Sequence, residues 1–278
     1  MLVMGLYELW QQFFPPVPAF TEKDLAVGSQ LGRVFIITGA NSGIGLALVK
    51  LLYPTGATIY IAGRTMPKID AAIAQAVSVS PPPTTPATLK SLHLDFRFDV
   101  LWNNAGNGCP PGTVTKQGIE AHVGANCVAP LLFTQELFPL LQATARIAPE
   151  DSVRGVDFAR IAKPPTVTYE DYAASKAGNW FLALEGANRR GKYGVLSKEN
   201  RLFVAFLKTL VLYAARYGAY TMLFAGFSRE VNESNNGAYI WPWGRIRPIA
   251  RPDVLQAAND GKATTFWKWC EDAWKDHI

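Results

Sequence analysis

At 278 residues, with 49% hydrophobic and 18% charged positions, the chain has the material for one large α/β domain and not the composition of a disordered one. The formal net charge of +5 is scattered, with no Lys/Arg run of the kind that coats a phosphate backbone. Nucleic acid is therefore not an expected partner, while a multiply anionic small molecule is compatible with the charge. Three cysteines (Cys109, Cys127, Cys270) and three histidines (His93, His122, His277) show neither disulfide-framework nor zinc spacing, so no metal is expected and a reducing, cytoplasmic setting is the simplest reading.

In chain order, residues 1–28 read as a polar-aromatic extension, with Phe13-Phe14-Pro15-Pro16 as an extended clamp, and residues 29–278 as one α/β unit. Residues 1–8 lack the apolar core and small-residue cleavage site of a signal peptide. Residues 33–37 form a β-rich apolar run, a glycine-rich turn follows, and residues 46–53 carry a helical pattern closed by Pro54 and Gly56. Residues 58–62 supply a second strand, completing a β–turn–α–β unit of about thirty residues, the size of a dinucleotide-binding half.

The turn itself is Thr38-Gly39-Ala40-Asn41-Ser42-Gly43-Ile44-Gly45. Glycines let the backbone turn tightly and approach a pyrophosphate, whose charge sits at the following helix N-terminus. An ordinary glycine turn remains the alternative, and the flanking strand and helix argue against it. Where NAD enzymes place an acidic residue to bond the ribose hydroxyls, this chain has Gly63-Arg64-Thr65. A guanidinium grips a 2′-phosphate with paired hydrogen bonds, which favours NADP(H). A solvated surface arginine stays open as the other reading.

Residues 67–77 read as a helix and 78–88, with Pro81, Pro82, Pro83 and Pro86, as a loop. Residues 92–94 and 100–102 are the third and fourth strand candidates. The segment between them is too short for the helical crossover that parallel neighbours require. Helical patterns follow at 118–143 and 172–187, a last strand at 239–241 and a final amphipathic helix at 265–274. Residues 203–227 are strongly apolar, but Lys208 and Arg216 interrupt them, so a buried helix or a homo-oligomer surface is preferred to a membrane span.

Tyr172 and Lys176 are four apart and share a helix face. A phenol with an unperturbed pKa near 10 is a poor proton donor at neutral pH, and a cation one turn away lowers it. On spacing alone the pair is an incidental one.

The ordered set of the glycine turn, Asn103-Asn104-Ala105-Gly106 and Tyr172-Ala173-Ala174-Ser175-Lys176 resembles the short-chain dehydrogenase/reductase family, and in particular its NADP-dependent filamentous-fungal members. The segments 13–25, 210–227 and 235–246 also look like that group. The resemblance implies a Rossmann-like doubly wound parallel sheet in a single domain. It implies that Asn104, Ala105 and Gly106 end the fourth strand beside the adenosine, that Asp95 contacts the adenine, and that Asn126 sustains a water chain. Tyr172 would exchange the proton and Lys176 would hold the nicotinamide ribose. Hydride would pass between nicotinamide and a carbonyl or secondary alcohol of a small, apolar metabolite, with segments 203–206 and 239–243 as candidate pocket walls.

Three departures accompany the resemblance. No serine matches the family's catalytic position at the end of a fifth strand: Ser152 precedes it, and nothing recommends Thr166 or Thr168. No apolar sixth strand with a Pro-Gly turn follows Lys176, and the crossover helix before residue 99 is missing. Such clean omissions look like excised coding pieces. They leave, as an alternative, a catalytically inactive protein that binds nucleotide or a partner without turnover.

Overall fold

The computed structural model describes residues 10–11, 14–78, 82–92, 98–106, 108–110, 112–147, 153–157, 168–191, 195–200, 213–249 and 252–275. Of 145–147, 153–157, 168–174, 176, 195–200 and 252 the backbone alone is described.

The first half follows from alternation. β1 (Val34–Thr38), α1 (Gly43–Leu52), β2 (Thr58–Ala62), α2 (Met66–Val77), β3 (Thr88–Ser91) and β4 (Val100–Trp102) form a parallel sheet in the order β3-β2-β1-β4. Successive side chains of a strand point to opposite faces. Phe35, Ile37, Ile59, Ile61, Val100 and Trp102 accordingly pack on one face with Leu48 and Leu52 of α1 and Ile69 of α2. Ile36, Tyr60 and Leu101 pack on the other, with helices from the second half. Both faces are covered, which is why these strands read as continuous apolar runs.

β3 lies a few residues before the expected 92–94. It is an edge strand with only β2 beside it, so it needs no apolar run. Its register is set by Ala87 N–H donating to Tyr53 O (2.7 Å) and Thr88 N–H to Ala57 O (2.9 Å), while Leu92 stays 37% exposed. β3 and β4 are parallel but not neighbours; β2 and β1 stand between them. The link between them spans residues 92–99, of which 93–97 lie outside the described residues. Among its described residues none is helical. The link lands on Asp99, whose carboxylate accepts the Val34 N–H at 2.7 Å, and Phe98 is fully buried in the cluster of Ile36, Tyr60 and Leu101.

The next helix runs through α3 (Ala121–Val123), a π-helical turn (Gly124–Val128) and α4 (Ala129–Ile147). β5 (Val153–Asp157), α5 (Thr168–Arg190), β6 (Val195–Asn200), α6 (Ala215–Phe227), β7 (Tyr239–Trp241) and β8 (Arg245–Ile246) follow, then α7 (Pro252–Ala257) and α8 (Ala263–Lys275). These strands are ordered β5-β6-β7-β8, with only β8 antiparallel, and β5 lies alongside β4. They form a second four-stranded sheet not hydrogen-bonded to the first among the described residues, and β5 and β6 lack the apolar runs of central strands, in keeping with the omissions read from the sequence. Their pairing slips between Arg154 and Asp157, and β6 meets β7 through Glu199 and Asn200 alone. A strand leaves a row of backbone groups wanting partners along each side, so even a polar segment pairs beside it, as β6 does beside β7 and β5 beside β6.

The apolar stretch 203–227 falls partly outside the described residues. Its second part is α6, which lies against α1 with Ala219, Met222, Leu223 and Phe224 buried. At 13 residues α6 is about 20 Å long against a hydrocarbon layer of about 30 Å, and among the described residues no helix is long and apolar enough to cross a membrane. The extension packs along this region: Glu22 pairs with Arg216, Phe20 meets Phe224 edge-on at 6.2 Å, and Arg245 donates to the Gln11 backbone O at 3.1 Å.

Candidate active site

β1 has β2 on one side and β4 on the other, so the strand order reverses direction at β1, the kind of switch point at whose carboxyl ends open α/β sheets bind ligands. The glycine turn occupies that point. Gly39 has φ +66°, and a Cβ there would stand 2.9 Å from the Ala105 Cα. A Cβ on Gly45 would meet Asn104 Nδ2 at 2.5 Å and the Ala40 Cα at 2.8 Å. Both glycines let two backbones approach closely. Gly43, φ +56°, instead faces open space among the described residues. Ser42 precedes α1 without a side-chain cap bond, so the first-turn amides of Gly43, Ile44 and Gly45 are not capped by it.

The Asn103–Gly106 segment buttresses this turn. Asn104 Nδ2 donates to Thr38 O at 2.9 Å, and Ala105 N–H donates to Thr38 Oγ1 at 2.9 Å. Asn103 Nδ2 donates to Thr134 Oγ1 at 2.9 Å, tying the loop to α4. At the end of β2, the Asn41 Oδ1 stands 3.4 Å from where a Gly63 Cβ would be, so the glycine turn and the Arg64 segment adjoin. Arg64 is exposed and makes no ion pair among the described residues.

Asn126 lies on the π-helical turn, 2% exposed, and its Nδ2 donates to Ser175 Oγ at 3.1 Å. The neighbouring Cys127 thiol donates to the Ser175 backbone O at 3.4 Å. At about 100° per residue, Tyr172, Ser175, Lys176 and Asn179 of α5 fall within an arc of roughly 100°. The face carrying the expected tyrosine and lysine is therefore the one whose Ser175 and Asn179 are buried against the turn of Asn126. The Tyr172 and Lys176 side chains, and Asp95 entirely, lie outside the described residues.

A family model described as short chain dehydrogenase matches residues 33–196, more than half of the chain. The chain belongs to the short-chain dehydrogenase family. The short-chain dehydrogenase/reductase iacJ of Pestalotiopsis fici is 57% identical, over 99% of each chain, and a short-chain dehydrogenase/reductase of Phomopsis amygdali is 34% identical, over 99% of this chain and 98% of its own. The alignment with the first runs over 322 positions while this chain has 278 residues, so at least 44 of those positions face gaps in this dehydrogenase-family chain. An uncharacterized protein from Mycobacterium paratuberculosis, 22% identical, shares the fold with a TM-score of 0.66 over 92% of this chain and 97% of its own.

Within this family member, two features went unread in the sequence. Ser175 was visible in its motif, but its bond to Asn126 depends on the packing of two helices. Glu120 stands directly before α3 as its N-cap, and its pairing with His122 becomes visible only in three dimensions.

Proposed function

We propose that the protein is an NADP(H)-dependent oxidoreductase that moves a hydride between nicotinamide and a carbonyl or secondary alcohol of a small, apolar metabolite. The observation that carries this is the junction of the Gly39 turn, the Asn104–Ala105 buttress and the open face at Gly43. Two positions there have no room for a Cβ against backbone or a bonded amide, and the third looks onto open space, the shape of a cradle for a diphosphate. Gly39, Asn41, Ser42, Gly43, Ile44 and Gly45 would hold the diphosphate, while Arg64 would take the 2′-phosphate. Asn104, Ala105 and Gly106 would border the adenosine, with Asp95 at the adenine.

The bound cofactor would supply or accept the hydride. Tyr172 would donate the proton to the carbonyl oxygen, or remove it from the alcohol. Lys176, on the same helix face, would favour the phenolate and hold the nicotinamide ribose. Asn126, held by Ser175, would keep the proton path in register.

NADPH fluorescence titration with a carbonyl-reductase panel tests this. Binding with turnover that Tyr172→Phe abolishes is the expected result. Arg64→Glu should weaken NADPH by at least about tenfold, the scale of a charge-assisted pair, and spare NADH. Binding without any turnover would instead support a nucleotide-binding protein without catalysis, the outcome favoured by the lack of a serine in β5 (Val153–Asp157). No binding of NADPH by folded protein refutes the proposal.

A further inference from the structure

His122 is fully buried on α3, one helical turn before Asn126. Its Nε2 accepts the backbone N–H of Cys109 at 2.8 Å. A backbone amide can only donate, so Nε2 carries no proton and Nδ1 does. Nδ1 faces Glu120 Oε1 at 2.7 Å. The same carboxylate caps the helix: Oε1 accepts the His122 N–H at 3.0 Å and Oε2 the Val123 N–H at 2.9 Å. Burial of Glu120 opposes its ionisation, but the bonds from the backbone amides of His122 and Val123 and from the His122 ring outweigh it and hold the carboxyl below its ordinary value.

This arrangement spans two parts of the candidate site. Cys109 follows closely on Gly106, whose segment backs Gly39 through Ala105 and bonds Thr38 through Asn104. The other end leads through α3 into the π-helical turn and the Asn126–Ser175 bond. We infer that His122 is a positioning residue that ties the loop behind the glycine turn to the helix carrying Asn126, so that cofactor cradle and proton path share one frame. Its consequence for binding rests on the NADP(H) reading above; the tie itself does not. His122 would act through the Cys109 backbone on the segment that follows β4.

Gln and Asn at position 122 separate this role from simple filling of the core. A Gln amide reaches the place of Nε2 and can accept the Cys109 N–H, whereas an Asn amide reaches only the place of Nδ1. Cys127 and Cys270 are fully buried, and burial pushes the Cys270 thiol well up, so a thiol reagent on the folded protein reads Cys109. The experiment is the rate of Cys109 modification by a chromogenic disulfide reagent, with Cys109→Ser as the blank, beside titration of NADP⁺ by tryptophan fluorescence. His122→Asn should raise the rate and weaken NADP⁺ by about tenfold each, the scale of one lost buried hydrogen bond, while His122→Gln stays within about twofold of the parent. Slow hydrogen exchange at the Cys109 amide of the parent is expected as well. A His122→Asn rate equal to the parent's, a His122→Gln rate equal to that of His122→Asn, or fast exchange at the Cys109 amide overturns the inference. If His122→Asn does not fold, the exchange measurement and His122→Gln still decide it. If the parent binds no NADP⁺, the cofactor reading fails while the thiol rates still judge the tie.

Discussion

Gly226 sets two physical effects against one another. It sits within α6, where replacing glycine by alanine ordinarily stabilises a helix by about 1 kcal/mol. A Cβ at this position, however, would lie 2.5 Å from Cζ2 of Trp102, well inside contact distance. The indole cannot easily give way. It is 3% exposed, its Nε1 donates to Met222 O at 3.2 Å, and it is flanked by Phe35 and Phe227 with ring centroids 5.5 and 5.7 Å away. Overpacking a full core costs about 1–3 kcal/mol, and breaking the buried indole bond adds about 1–3 kcal/mol. The clash therefore outweighs the propensity gain, and Gly226→Ala is expected to lose about 2 kcal/mol net, or roughly 4–8 °C in Tm. Trp102 ends β4 immediately before the Asn103–Gly106 buttress, so indole fluorescence should shift as well. Thermal unfolding by circular dichroism reads the first effect. A Tm equal to or above the parent's would refute the packing of α6 on β4.

Two further outcomes follow from buried charge. The Glu120 carboxyl is held below its ordinary value in the folded protein, so the unfolded chain binds its proton more readily. Its contribution is present above the ordinary value of 4.5 and is lost as pH falls through the lower, folded value; Glu120→Gln should flatten that acid limb in urea unfolding at stepped pH, and an unchanged limb would refute it. Arg190 is 7% exposed, with burial pulling its pKa down to about 10, its Nη1 without a hydrogen-bond partner among the described residues, and the rings of Phe138 and Trp267 4.8 and 4.9 Å from its guanidinium. Arg190→Met keeps the packing and removes the desolvated charge, so Tm should hold or rise; a fall of many degrees would show that attraction to Glu271 outweighs burial.

What the sequence determined by itself was local and periodic. β1, β2, β4 and β7 carry apolar runs that suit buried parallel strands, and the glycine turn is written in one stretch of chain, so each could be read without its neighbours. Motif order added the family. What only the tertiary structure decided depends on partners far apart in the chain. β3 is displaced because an edge strand takes its register from its neighbour and needs no apolar run. β5 and β6 extend by pairing with each other and, for β6, with β7, not because VRGVD or VLSKEN favours strand. The same reason hid the His122 tie and the Asn126–Ser175 bond: a buried hydrogen bond is set by which elements pack together, and single-residue patterns carry no record of that.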